Sequence, residues 1–136
     1  MVDDSFDLQR FVRAQDDGGT YDQALAELRG GRKHSHWMWF VFPQLAGLGR
    51  SDLARFYAIS GPAEAVAYLE HPVLGPRLAE CAGALVDLGA SDAVAVLGPV
   101  DALKLESSMS LFAAVPGADP IFATVLDQYF GGPAGA

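Results

Sequence analysis

Lys104, Ser107 and Ser108 stand at i, i+3 and i+4, so a helix through them gathers an ammonium and two hydroxyls on one face, with Leu105, Met109 and Phe112 on another. Such a face can hold an anion. A lysine beside a serine can also act as base to a hydroxyl nucleophile, although no oxyanion glycine motif accompanies this pair. The alternative use is structural: serines let a neighbouring helix approach closely and bond back to the carbonyls of the preceding turn.

A second group lies earlier in the chain. From Arg29 to Ser51 there is no Asp or Glu, while Arg29, Arg32, Lys33 and Arg50 supply positive charge and His34 and His36 add two titratable rings. Basic side chains beside glycine turns and helix starts are what a phosphate or other anion requires, and a solvated basic loop is the alternative. Trp37 and Trp39 sit two residues apart and cannot face the same side of a helix, so one belongs to the core and the other to its edge, where it can stack on a flat ring. Gln15 and Gln44, each flanked by apolar residues, need partners wherever they are buried. The candidate ligand-binding set is therefore Arg32, Lys33, His36, Trp37, Gln44, Lys104, Ser107 and Ser108. If they form one pocket, Lys33 or Arg32 must come within reach of Lys104 and Ser107, and like charges converge only around an anion or an acid. The two neighbouring histidines lack a Cys or third His at ligand spacing, so no metal site is expected, and no cofactor motif stands out.

What positions these groups is a series of short helices. Apolar residues recur at helical spacing, preceded by Ser, Thr or Asp and followed by Gly or Pro. Leu8, Phe11 and Val12 form a first stripe with Asp4 or Ser5 as cap. Thr20 to Gln23 reads as a capping box before Tyr21, Ala24, Leu25 and Leu28. The aromatic run from His36 to Phe42 lacks period-2 alternation and reads as a short buried helix ended by Pro43. Further starts are expected at Ser51, Pro62, Leu74, Ser91, Asp101 and Asp119, with the Leu74 to Leu88 helix the longest and Cys81 buried on its stripe. The expected fold is all-α, a compact single-domain bundle of about seven to eight short helices, irregular in layout, over residues 1–130, with 131–136 as a loose tail.

The bulk composition agrees. A chain of 136 residues with 51% hydrophobic content has the size and apolar fraction of one stable domain, and lies far from the disordered regime. Seventeen acidic against nine basic residues, net charge −8, argue against general nucleic-acid binding and against attachment to an anionic membrane. One cysteine precludes an internal disulfide, the start is acidic where a signal peptide is basic, and the longest large-apolar run is too short for a membrane span. The expected location is cytoplasmic.

Three blocks carry a resemblance: Asp7 to Gln15, then Gly31 to Gln44 with Gly47-Leu48-Gly49, and Asp101 to Phe112. With the His71-Pro72-Val73-Leu74-Gly75 stretch, they resemble the bacterial and fungal domain-of-unknown-function family 1810 over roughly residues 6–131. The resemblance implies a small all-helical fold and no established activity. Family members usually carry Thr where Ser110 stands and continue past Gly131 with an acidic, leucine-rich stretch. Some are labelled calpastatin, a disordered inhibitor, which a half-hydrophobic chain contradicts. The function these observations favour is binding, and conceivably processing, of a small anionic, phosphorylated or nucleotide-like ligand. Two alternatives stay open: a protein-interaction module with an aromatic surface near Trp37 or Trp39, and a hydrolase with a Ser-Lys pair.

Overall fold

The computed structural model describes residues 4–131. Leu8, Phe11 and Val12 are buried as their spacing requires, on helix α1 (Gln9–Asp16), and the Asp4 carboxylate accepts the free N–H groups of Leu8 and Gln9 at its start. A 3-10 turn, Asp17–Gly19, leads into α2 (Thr20–Arg29). Because the turn already holds Thr20 in helical conformation, its hydroxyl donates to the Asp17 carbonyl, and Gln23 bonds Glu27 and Ser35. The expected capping box does not form.

One aromatic turn, α3 (Met38–Val41), follows, then α4 (Asp52–Phe56), capped by the Ser51 hydroxyl on the Ala54 N–H. Helices α5 (Pro62–Glu70), α6 (Leu74–Asp87) and α7 (Ala93–Leu97) begin and end within two residues of the glycine, proline and acidic signals in the sequence. Asp92 rather than Ser91 caps α7, accepting from Val94 and Ala95. Helix α8 (Pro99–Ala113) has 15 residues against 14 in α6, so it and not α6 is the longest; Pro99 fits its first turn because the missing N–H has no helical partner there. Asp101 is thereby moved from the expected cap into the first turn. Helix α9 (Ile121–Phe130) closes the chain, with the Asp119 carboxylate on the Ile121 N–H. The expected loose tail, apart from Gly131, lies outside the described residues. Among the described residues the only extended pairing is a single parallel bridge between Leu45 and Ile59.

Helices α6 and α8 form the centre: α6 packs on α2, α5 and α9, and α8 on α5, α7 and α9. Through them runs a line of ring contacts, Phe11 to Tyr68 at 5.1 Å, Tyr68 to Phe112 at 5.2 Å and Phe112 to Phe122 at 6.1 Å. Cys81 lies fully buried beside it, and loss of hydration pushes its thiol up to about 12. Buried polar groups fasten the periphery. The Arg10 guanidinium bonds the Glu64 carboxylate and the carbonyls of Phe6, Asp7, Phe56 and Ala58, which joins α1 to the α4–α5 connection. Gln15 donates to the Phe40 carbonyl and the Tyr68 hydroxyl and accepts from Arg77, so its amide is a tie between α1 and α3.

Candidate functional site

Beyond α2 the chain reverses at Gly31, whose φ of 81° lies in the left-handed region that suits glycine. The reversed segment wraps around one carboxylate. Glu27 accepts the backbone N–H groups of His34 (2.7 Å) and Ser35 (3.0 Å), the Ser35 hydroxyl and the Trp37 indole N–H (3.0 Å). Partial burial opposes the charge, yet the donors from Ser35, His34 and Trp37 together outweigh it and hold the Glu27 carboxyl down at about 2. On the other side the Lys33 N–H donates to the Val96 carbonyl, tying the segment to α7.

This anchoring delivers Lys33 to the first turn of α8. Its ammonium lies 2.9 Å from one Asp101 carboxylate oxygen, and the Lys104 ammonium lies 3.4 Å from the other. Each lysine also stands over an indole, Lys33 5.1 Å from the Trp37 ring centre and Lys104 5.0 Å from that of Trp39. The two lysines meet on the chain's own Asp101. A helix that starts at Pro99 places Asp101 and Lys104 at i, i+3, on one face.

The remaining candidates divide by location. Trp37 is wholly enclosed and cannot stack on a ligand; Trp39, half-buried, is the tryptophan at the edge. Gln44 borders a cavity of about 10 Å³ together with Trp39, Tyr57 and Lys104. That volume accepts roughly one water molecule. Among the described residues the Gln44 side chain forms no hydrogen bond; its amide nitrogen lies where a Cβ on Gly49 would approach to 3.2 Å, and the same Cβ would meet that of Ala54 at 2.4 Å, so only glycine lets the 44–50 loop seat on α4. Ser108 is fully buried with its hydroxyl unpartnered, and Ser107 is half-buried one residue earlier. Arg32 and His36 are exposed, and neither bonds the Lys33–Asp101–Lys104 group. No group of three or more His, Cys, Asp or Glu among the described residues is placed to hold a metal. Likewise, none of their helices is long and apolar enough to cross a membrane.

Glu27, Asp101 and Tyr57 are the site residues that sequence reasoning passed over, and of the two tryptophans weighed it placed Trp37 rather than Trp39 in the candidate set. Asp101 entered the sequence reading only as the start of a helix, and Glu27 lies outside the acid-free stretch it organises.

The profile of the family described as Protein of unknown function (DUF1810) matches residues 5–135. The chain belongs to this family. Among solved structures it is similar to the crystal structure of the conserved hypothetical protein Rv1873 from Mycobacterium tuberculosis. The two are 52% identical, with a TM-score of 0.88 over 93% of this chain and 89% of the other. No curated protein matches the chain. DUF1810 membership and this neighbour agree on the all-helical fold and carry no activity with them.

Proposed function

We propose that this DUF1810 protein binds a small anionic ligand, of the phosphorylated or nucleotide-like kind, where α3, the 43–49 loop, α4 and Lys104 meet. The observation that carries the reading is that two polar groups with unused bonding capacity border one cavity. The Gln44 carboxamide has no partner among the described residues, and the Lys104 ammonium, with three N–H donors, faces a single long contact to Asp101. Lys33, Asp101 and Lys104 together keep one net positive charge, enough to favour an anion, while the exposed part of Trp39 offers a surface for a flat ring. The cavity as it stands holds about one water, so a terminal phosphate enters only with an outward shift of the 44–50 loop, and the body of the ligand lies outside, over Trp39.

Trp39 makes intrinsic fluorescence a direct reporter. Titration with pyrophosphate, ADP and ribose 5-phosphate at low salt should give saturable quenching for at least one, weakened by salt, and lost in Lys104→Ala and Gln44→Leu but retained in Arg32→Ala. If none of the three binds, or if the Lys104 and Gln44 variants bind as the parent does, the reading is wrong.

A hydrolytic reading draws little support. Lys104 is turned to Asp101, and Ser108 is sealed from solvent.

A further inference from the structure

An apolar face lies on the 44–50 loop and α4. Leu45, Leu48, Leu53 and Phe56, all within the 44–50 loop and α4, are exposed at 37%, 58%, 47% and 56%. Scattered single apolar residues are ordinary on protein surfaces, but a run concentrated on one short helix and its leading loop is not. On α4, Leu53 and Phe56 lie at i, i+3 on the side opposite the buried Ala54. Beside Phe56 opens a groove of about 700 Å³ between α4 and the C-terminal half of α1, with Phe56, Tyr57 and Ala14 in its walls. The Phe56 ring stands edge-on to Tyr57 at 4.8 Å, which fixes one aromatic wall.

Charge identifies what this face suits. Although the whole protein carries a net −8, Arg13, Arg50 and Arg55 stand at this face against Asp17 and Asp52; Lys33, from the same basic stretch, is spent on Asp101. Arg50 and Arg55 flank the apolar residues and Arg13 borders the groove; none of the three forms a side-chain hydrogen bond or ion pair among the described residues. The other charges there are mostly committed, Arg10 to Glu64 and Asp16 to Arg77, which leaves Asp17 and Asp52 as the free acids. We infer that the 44–50 loop, α4 and the α1–α4 groove dock an acidic peptide segment bearing large apolar side chains, one of them seated against Phe56 and Tyr57 with its carboxylates toward Arg13, Arg50 and Arg55. A second copy of the chain fits less well, because a two-fold contact would set the same arginines against themselves. An anionic bilayer would repel the acidic remainder of the molecule.

The test uses fluorescently labelled synthetic peptides: one alternating Asp/Glu with Leu/Phe, one with the acids replaced by Asn/Gln, and one with Leu/Phe replaced by Ser. Anisotropy should report binding of the first, about tenfold or more weaker binding of the other two, and decline with salt. Phe56→Ser and the pair Arg50→Glu with Arg55→Glu should abolish it while leaving thermal unfolding unchanged, since all three side chains are exposed. Lys104→Ala should bind as the parent does, which separates this face from the ligand cavity. Equal binding of the three peptides, or none, overturns the inference. So does a parent that sediments as a dimer and becomes monomeric on Phe56→Ser, or Phe56-dependent binding to phosphatidylserine vesicles without binding to the acidic peptide.

Discussion

Replacing Glu27 by Gln tests the organisation of the whole basic segment through one carboxylate. Glu27 is held at about 2 where an ordinary glutamate titrates at 4.5. At ~1.4 kcal/mol per pH unit the full difference amounts to ~3 kcal/mol, and the partial exposure of the group reduces this to roughly 1–2 kcal/mol. Since the folded-state value is depressed, this stability is complete above the ordinary glutamate value. It drains away as the pH falls from there toward about 2. Glutamine resembles a protonated glutamate: it offers one acceptor oxygen and turns an NH2 group toward the donors of His34, Ser35 and Trp37. Other carboxylates titrate in the same range, so the informative quantity is the difference between parent and variant in urea melts followed by tryptophan fluorescence. The gap should be widest at neutral pH, at roughly 1–2 kcal/mol, and should close as the pH approaches about 2. Parallel stability curves across that range, or a variant as stable as the parent at neutral pH, would refute the claim that Glu27 holds the segment as a charged acceptor.

Trp37→Ala should cost ~3–5 kcal/mol in denaturant melts, whereas Trp39→Ala, at the edge, should cost ~1 kcal/mol; equal costs would remove the distinction between core and site tryptophan. Lys33→Met should lose ~1–2 kcal/mol because Asp101 forfeits its better-buried partner; an unchanged midpoint would count against the ion-pair geometry. Native Cys81, buried and raised to about 12, should resist a disulfide reagent at pH 8 and react fully in urea, so rapid native labelling would contradict its placement. Gly49→Ala, whose Cβ would meet that of Ala54 at 2.4 Å, should cost ~1–3 kcal/mol by thermal unfolding, with a neutral result showing that the loop yields freely.

The sequence by itself determined the helical class, the buried stripes and most helix ends, because these depend on local spacing, on capping side chains and on where glycine and proline permit a turn. It also singled out the two lysines and Gln44. What it did not determine was how the charges are spent. Whether Lys33 is a ligand for a foreign anion or a partner for Asp101 depends on where the 32–37 segment docks. That docking is set by Glu27, in a helix before the basic stretch begins, and by the Val96 carbonyl far along the chain. The assignment of Trp37 to the core and Trp39 to the edge has the same origin, since a single helical turn allows either and the indole bond to Glu27 selects one. Spacing records which side chains share a face of one helix. Only tertiary packing brings two helices and a loop together and decides which charges meet, and Coulomb and hydrogen-bond energies follow those distances.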